Sequence, residues 1–243
     1  MEFKNIRRIL SYTRRCVDDY KMISDNDRIA VGLSGGKDSL TLLAALQGLS
    51  VFYPAKFFVT AITVDMGFEN SDFSDLQKFC DDLGIGLIIK KTNISDVIFN
   101  IRKESNPCSL CAKMRRGVLN EAAKENGCNK VALGHHFDDV VDTFMLNLIH
   151  EGRIASFSPV TYLSRSDITV IRPLSFCPEK DISYFARHNN LPIFKSLCPE
   201  DKHTERETVK QLLNTLDRDY KGLKHRIFGA IQKQDISGWG KSN

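Results

Sequence analysis

The sequence predicts an α/β fold, a parallel sheet with helices on both faces, with one helix added at the N-terminus and others at the C-terminus. Three observations carry this. Short, almost continuously apolar segments recur along the chain, each is followed by a segment with apolar residues at helical spacing, and a glycine-rich hexapeptide marks the first switch between the two. Strands buried on both faces lose the two-residue alternation of a half-exposed sheet, and the ligands of such sheets gather at the carboxyl ends of the strands. With 243 residues, 42% of them hydrophobic, the chain can bury a sizeable core.

The elements follow in order. Residues 4–22 place Ile6, Ile9, Leu10, Thr13, Val17 and Tyr20 at helical spacing, an amphipathic leading helix with its basic residues outward. It stops before Ser24-Asp25-Asn26-Asp27. Residues 28–33 (RIAVGL) read as a buried strand, the loop Ser34-Gly35-Gly36-Lys37-Asp38-Ser39 follows, and 38–48 read as a helix. The alternation continues with a strand over 56–65, a helix over 70–83, a strand over 86–91, a helix over 111–126, a strand over 130–134 and a helix over 138–149. Residues 151–166 are polar and irregular and read as a loop over the site; 168–171 are a last short strand and 179–189 a helix. Helices over 204–216 and 223–231 close the chain, which divides into a basic helix at 1–24, an α/β domain at 25–195 and a helical extension at 196–243.

A net charge of +4 is too mild to announce nucleic-acid binding, so any such contact falls to local patches. Lys4, Arg7, Arg8, Arg14 and Arg15 form one, and Lys113, Arg115 and Arg116 another. Each is either a solvated helix face or a seat for a phosphate backbone. No apolar run reaches a membrane-spanning length and Met1-Glu2-Phe3-Lys4-Asn5 lacks a signal-peptide core, which predicts a cytoplasmic protein with no membrane partner. Seven cysteines, an odd number, argue against a disulfide framework and for reduced thiols. Cys16, Cys80 and Cys128 read as buried apolar residues, whereas Cys108 and Cys111 form a Cys-x-x-Cys ahead of a helix, a spacing shared by zinc, iron–sulfur and redox sites.

A strand ending in Ser-Gly-Gly-x-Asp-Ser and opening a helix offers backbone N–H groups, hydroxyls and a helix N-terminus to an anion. Neither the Gly-x-x-x-x-Gly-Lys-Ser/Thr of γ-phosphoryl transfer nor the Gly-x-Gly-x-x-Gly of dinucleotide sites is present. Asp65, closing the second strand, is either a nucleotide-facing carboxylate or a turn residue. Asp138 and Asp139 follow the strand 130–134; paired carboxylates near phosphate suit Mg²⁺, and one of the two is free to cap the next helix, so Asp139 is favoured for chemistry.

The hexapeptide 34–39 resembles the signature of the PP-loop ATP pyrophosphatase superfamily, and Gly134-His135-His136-Phe137-Asp138-Asp139 resembles its second motif, Gly-His-x-x-Asp-Asp. The resemblance implies an adenine nucleotide alpha hydrolase-like, Rossmann-like sheet. It implies that Leu33 to Ser39, with Asp65, Gly134 and His135, bind ATP, that Lys37, Asp38 and Asp139 serve the chemistry with Mg²⁺ on the two carboxylates, and that the α–β bond breaks. Lys37 is equally able to point to solvent.

Pro107 to Gly117 around the cysteines, Ala132 to His136, Ile171-Arg172-Pro173-Leu174 with Glu179 to Ile182, and Asp217 to Tyr220 resemble the tRNA 2-thiocytidine synthetase branch, over roughly residues 20–232. That branch implies adenylation of a cytidine of the tRNA anticodon loop, then replacement of its oxygen by sulfur. It also implies a [4Fe–4S] cluster on three cysteines, Cys108, Cys111 and Cys198, and as partners tRNA and a cysteine desulfurase or other sulfide donor, a homodimer being left open. Arg7, Arg8, Arg14, Arg15, Lys113, Arg115 and Arg116 become RNA-binding candidates. In one respect the chain departs from the branch. Where relatives carry a second Cys-x-x-Cys, Lys195-Ser196-Leu197-Cys198 has only the last cysteine, leaving Cys177 as a reserve ligand and a zinc site with His203 as the minority alternative. The competing readings are a ligase with an amine nucleophile and a non-catalytic iron–sulfur or RNA-binding module.

Overall fold

The computed structural model describes residues 3–69, 71–102, 107–194 and 205–240. A sheet of six strands runs in the order β3-β2-β1-β4-β6-β5. The strands are β1 (Asp27–Gly32), β2 (Phe57–Asp65), β3 (Leu87–Lys91), β4 (Lys130–Ala132), β5 (Val160–Leu163) and β6 (Ile168–Ile171). β1 pairs in parallel with β2 and β4, β2 with β3, and β4 with β6, so five strands end on one edge.

Both faces are covered, unequally. α5 (Pro107–Glu125) packs Leu119, Ala122 and Ala123 with Ala30, Ile62, Val131 and Val170 on one face. On the other face α1 (Ile6–Asp19), α2 (Lys37–Ser50), α3 (Ser74–Leu83), α6 (Phe137–Glu151), α7 (Glu179–His188), α8 (Glu205–Asp219) and α9 (Leu223–Lys233) share one larger cluster of buried apolar residues. In α1 the buried stripe is Ile9, Thr13, Cys16 and Val17, the i, i+4, i+7, i+8 pattern of a helix that meets the core along one side, while Arg7, Arg8, Arg14 and Arg15 face outward. α2 is buried on every side from Ser39 to Leu46. It sits in the middle of that layer, against α1 and α7. Trp239, from the end of the described chain, is fully buried and donates its indole N–H to the Phe157 carbonyl at 2.7 Å.

Three expectations need correction. Residues 151–166 are not irregular throughout: they contain β5, which runs antiparallel to β6 at the edge of an otherwise parallel sheet. β5 is an edge strand paired on one side only, so its residues are mostly half-buried and the apolar signal is diluted. The Cys-x-x-Cys does not precede its helix; α5 begins at Pro107 and carries both cysteines. Pro107 stands at the first helical position, where a fixed φ and a missing N–H cost nothing. α3 begins at Ser74 rather than residue 70. A helical segment, α4 (Ile94–Asp96) continuing into a π-helical turn (Val97–Arg102), fills the connection from β3 toward α5.

Candidate functional site

The carboxyl edge of the sheet gathers the site. Leu33 continues β1, its N–H donating to the Ile62 carbonyl at 2.8 Å and its carbonyl accepting from Thr63 Oγ1 at 2.9 Å. The loop then closes on itself: Ser34 N–H donates to Ser39 Oγ at 3.2 Å, and Ser39 Oγ donates to the Gly36 carbonyl at 3.0 Å. Gly35 has φ +77°, and a Cβ there would lie 2.6 Å from Phe194 Cβ, so glycine is required on both counts. Gly36 caps α2 without a side-chain acceptor, and the first amides of a helix have no intrahelical partner. These N–H groups, with the helix dipole behind them, form an anion seat.

β4 delivers the second motif against this loop. A Cβ on Gly134 would come within 3.0 Å of the Asp38 carbonyl carbon and 3.1 Å of Ser39 N. His136 then caps α6 in a reciprocal box: its Nδ1 accepts from Asp139 N–H at 3.4 Å, and Asp139 Oδ2 accepts from His136 N–H at 2.9 Å. Of the two aspartates, the one engaged in this cap is Asp139, not Asp138. His136 Nε2 lies 3.8 Å from Asp38 Oδ1 and 3.5 Å from Asp139 Oδ2, so the two favoured carboxylates flank one imidazole nitrogen. Two hard oxygen donors beside a phosphate seat fit Mg²⁺, which completes its shell with phosphate oxygens and water. Among the described residues no group of three or more His, Cys, Asp or Glu side chains forms a ready-made metal cage.

A network of ion pairs braces the motif, and its members Glu179, Lys210 and Lys224 were not among the sequence-derived site residues. Lys37 turns inward, its Nζ 3.0 Å from Asp38 Oδ1 and 3.1 Å from Glu179 Oε1; burial opposes its charge, but these carboxylates raise its pKa overall. Glu179 also meets Lys210 at 2.9 Å; burial works against its ionisation, yet the Lys210 and Lys37 ammonium groups hold its pKa at about 2. Its N–H donates to Asp138 Oδ2 at 2.8 Å, and Asp138 Oδ1 meets the buried Lys224 Nζ at 2.9 Å. Burial alone would raise the Asp138 pKa, but the Lys224 bond and the Glu179 N–H lower it. Lys224 further donates to Asn214 Oδ1 at 2.8 Å. Behind them burial pushes Asp142 up to about 6. α8 adds Arg206, which reaches Asp139 Oδ1 at 3.4 Å. Glu179 opens the stretch Glu179 to Ile182 that resembles the thiocytidine branch, but nothing local in the sequence shows that it reaches Lys37.

His135 packs on Phe157 with ring centroids 4.9 Å apart, and burial drops its pKa to about 4, leaving a neutral imidazole at pH 7. Asp65 closes β2 and accepts from Gly67 N–H at 2.9 Å, a turn-forming bond that engages one carboxylate oxygen.

The cysteine pair reaches the same edge by topology. α5 returns from the carboxyl end of β3 to the start of β4, so its first turn lies at the carboxyl edge. Cys108 and Cys111, three residues apart, lie on one helical face, Cys108 exposed and Cys111 half-buried. Two thiols so placed fit adjacent positions of a cluster. Cys198 and His203 lie outside the described residues. Cys177 is fully buried within the core cluster, where desolvation pushes its thiol pKa up, a poor setting for a thiolate ligand. Of the basic candidates, Lys113, Arg115 and Arg116 are exposed on α5; on α1, Arg8 pairs with Asp181 at 3.1 Å, Arg14 with Asp18 at 3.5 Å, and Arg15 lies 4.7 Å over the Phe176 ring.

The sequence profile of the PP-loop domain matches residues 6–216. A tRNA-cytidine(32) 2-sulfurtransferase of Syntrophotalea carbinolica is 36% identical over 95% of this chain and 90% of its own length. One of Geobacter sulfurreducens is 38% identical over 95% of this chain and 92% of its own. Among solved structures, the U34-tRNA thiolase NcsA of Methanococcus maripaludis, with its [4Fe–4S] cluster, superposes with a TM-score of 0.74 at 28% identity, covering 92% of this chain and 77% of that one. An NH3-dependent NAD synthetase of Campylobacter jejuni, at TM-score 0.52 and 16% identity, shares the fold. No helix among the described residues is long and apolar enough to cross a membrane.

Proposed function

The chain belongs to the PP-loop family, and from that membership we propose that it is an ATP-dependent tRNA sulfurtransferase that replaces the C2 oxygen of a cytidine with sulfur. The relatives' names point to the cytidine at position 32. The observation that carries the reading is the arrival of a phosphate seat, 34–39, and a cysteine pair, Cys108 and Cys111, on one sheet edge. A nucleotide site alone fits many reactions; a thiol pair toward the same edge of the sheet fits activation followed by sulfur transfer.

In this reading the loop amides and the α2 N-terminus hold the diphosphate of ATP, and Lys37 exchanges its contact with Glu179 for a phosphate oxygen. Asp38 and Asp139 would hold Mg²⁺. The cytidine O2 attacks the α-phosphorus, the α–β bond breaks, and diphosphate leaves. Sulfide then adds at C2 and AMP departs with the former oxygen. Cys108, Cys111 and Cys198 would hold the [4Fe–4S] cluster, which when bound supplies an iron for the incoming sulfide. The base must leave its stack to reach such a pocket, which favours an unpaired loop nucleotide. The sulfide donor is a cysteine desulfurase or an equivalent source.

The test is the bond that breaks. With α-labelled ATP and unmodified tRNA, the expected products are AMP and diphosphate, formed only when RNA is present. ADP as the labelled product, or RNA-independent turnover, contradicts the reading.

A further inference from the structure

Beyond the phosphate seat lies a cationic group that neither it nor the cysteines use. Arg172 directly follows β6, at the carboxyl edge. Its Nη1 donates to the Ser158 carbonyl at 2.6 Å and to Thr161 Oγ1 at 3.3 Å, and its guanidinium lies 5.1 Å over the Phe157 ring. Nε is buried without a hydrogen-bond partner, and among the described residues no carboxylate pairs with this arginine. His135, on the same Phe157 ring, keeps a buried Nδ1 that is likewise unpartnered. Around them the charges are mostly of one sign: Arg116 acts on Arg172, while Arg172 and Arg206 act on His135, with Asp139 as the opposing charge.

A half-buried guanidinium without an anion is an unfavourable arrangement unless something negative completes it. With Nη1 engaged and Nε buried, Nη2 is the nitrogen left to meet a phosphate oxygen in a charge-assisted hydrogen bond. The strand order gives the direction. Asp65 stands on β2, the loop follows β1, and Arg172 lies past β4 on β6, on the far side of the diphosphate seat from Asp65.

We infer that Arg172, with His135 beside it and Phe157 as its floor, is a phosphate subsite, and by its place past β4 the phosphate it takes is a backbone phosphodiester next to the target nucleotide. The assignment to RNA rests on the tRNA reading above; the phosphate chemistry is shared with ATP.

The test compares Arg172→Gln and Arg172→Lys with wild type in two arms: filter binding of unmodified tRNA across a salt series, and the KM for ATP. The expected result is a tRNA Kd raised about tenfold in Arg172→Gln, with the slope of log K against log salt smaller by about one contact and the ATP KM within about twofold of wild type. Arg172→Lys, which keeps the charge and loses the fork, falls between. A raised ATP KM with unchanged tRNA binding supports the subsite and moves its phosphate to the nucleotide. Unchanged values in both arms, in variants whose near-ultraviolet circular dichroism matches wild type, overturn it. If Arg172→Gln does not fold, the lysine variant is read alone by the same criteria. If wild type binds no tRNA, the tRNA reading has failed, and the ATP arm decides the subsite.

Discussion

The two halves of the site are built differently. Around Gly134–Asp139 each charged side chain is held by another: Lys37 by Asp38 and Glu179, Glu179 by Lys210, Asp138 by Lys224. The cysteine half is the first turn of one helix, with Cys108 exposed and Cys111 half-buried, and no disulfide joins them. The half around the loop 34–39 is preorganised by the protein itself, as the proposed release of diphosphate would require. The cysteine half offers one exposed and one half-buried soft donor, and in the proposed reading the cluster it holds completes it. Damage to the two halves should therefore separate.

The largest effect is expected at the thiols. Cys108→Ser or Cys111→Ser should abolish sulfur incorporation, a loss of about a thousandfold or more, while ATP binding measured by calorimetry stays within about threefold of wild type. A variant that thiolates normally would remove the pair from the chemistry. Gly35→Val should do the reverse: the positive φ and the Phe194 contact leave no room for a side chain, so kcat/KM for ATP should fall about a hundredfold or more while bound iron is retained. Joint loss of both properties would mean that the halves are one cooperative unit.

Smaller effects probe the bracing. Lys224→Met leaves Asp138 buried without its cation and should cost about 3–5 kcal/mol of stability in urea unfolding, much of it recovered in the double variant with Asp138→Asn. No recovery would mean that Lys224 acts through its bond to Asn214 instead. For Glu179 the folded pKa lies below the usual value of 4.5, at about 2, so its stabilisation is fully present above pH 4.5 and lost as pH falls from there toward 2. The wild-type advantage over Glu179→Gln should be on the order of 2–3 kcal/mol near pH 6 and close to zero near pH 2. An advantage that does not change with pH would show that the carboxylate charge is not what holds Lys37.

The same contrast explains what the sequence disclosed. The loop 34–39 was legible because strand, glycines, hydroxyls and helix start lie within one short run. The helix opening at Pro107 was missed because the cysteines drew the boundary toward Cys111, although a proline at the first helical position was its own signal. β5 was hidden because an edge strand with one paired side and mixed burial loses its apolar run. Glu179 and Lys224 were out of reach for a different reason. Their partners, Lys37 and Asp138, are brought to them only by the crossing of α7 and α9 over the sheet edge. Arg172 stood in view within Ile171-Arg172-Pro173-Leu174, but the lack of an acidic partner is a property of the fold alone.

The central claim is that adenylation and sulfur transfer meet on one sheet edge. The direct measurement is nucleoside mass spectrometry of tRNA incubated with ATP, Mg²⁺, sulfide and protein purified without oxygen, alongside its visible spectrum and iron content. The account predicts a brown, iron-containing protein and ATP-dependent 2-thiocytidine. A colourless, iron-free protein that leaves the tRNA without 2-thiocytidine would contradict it.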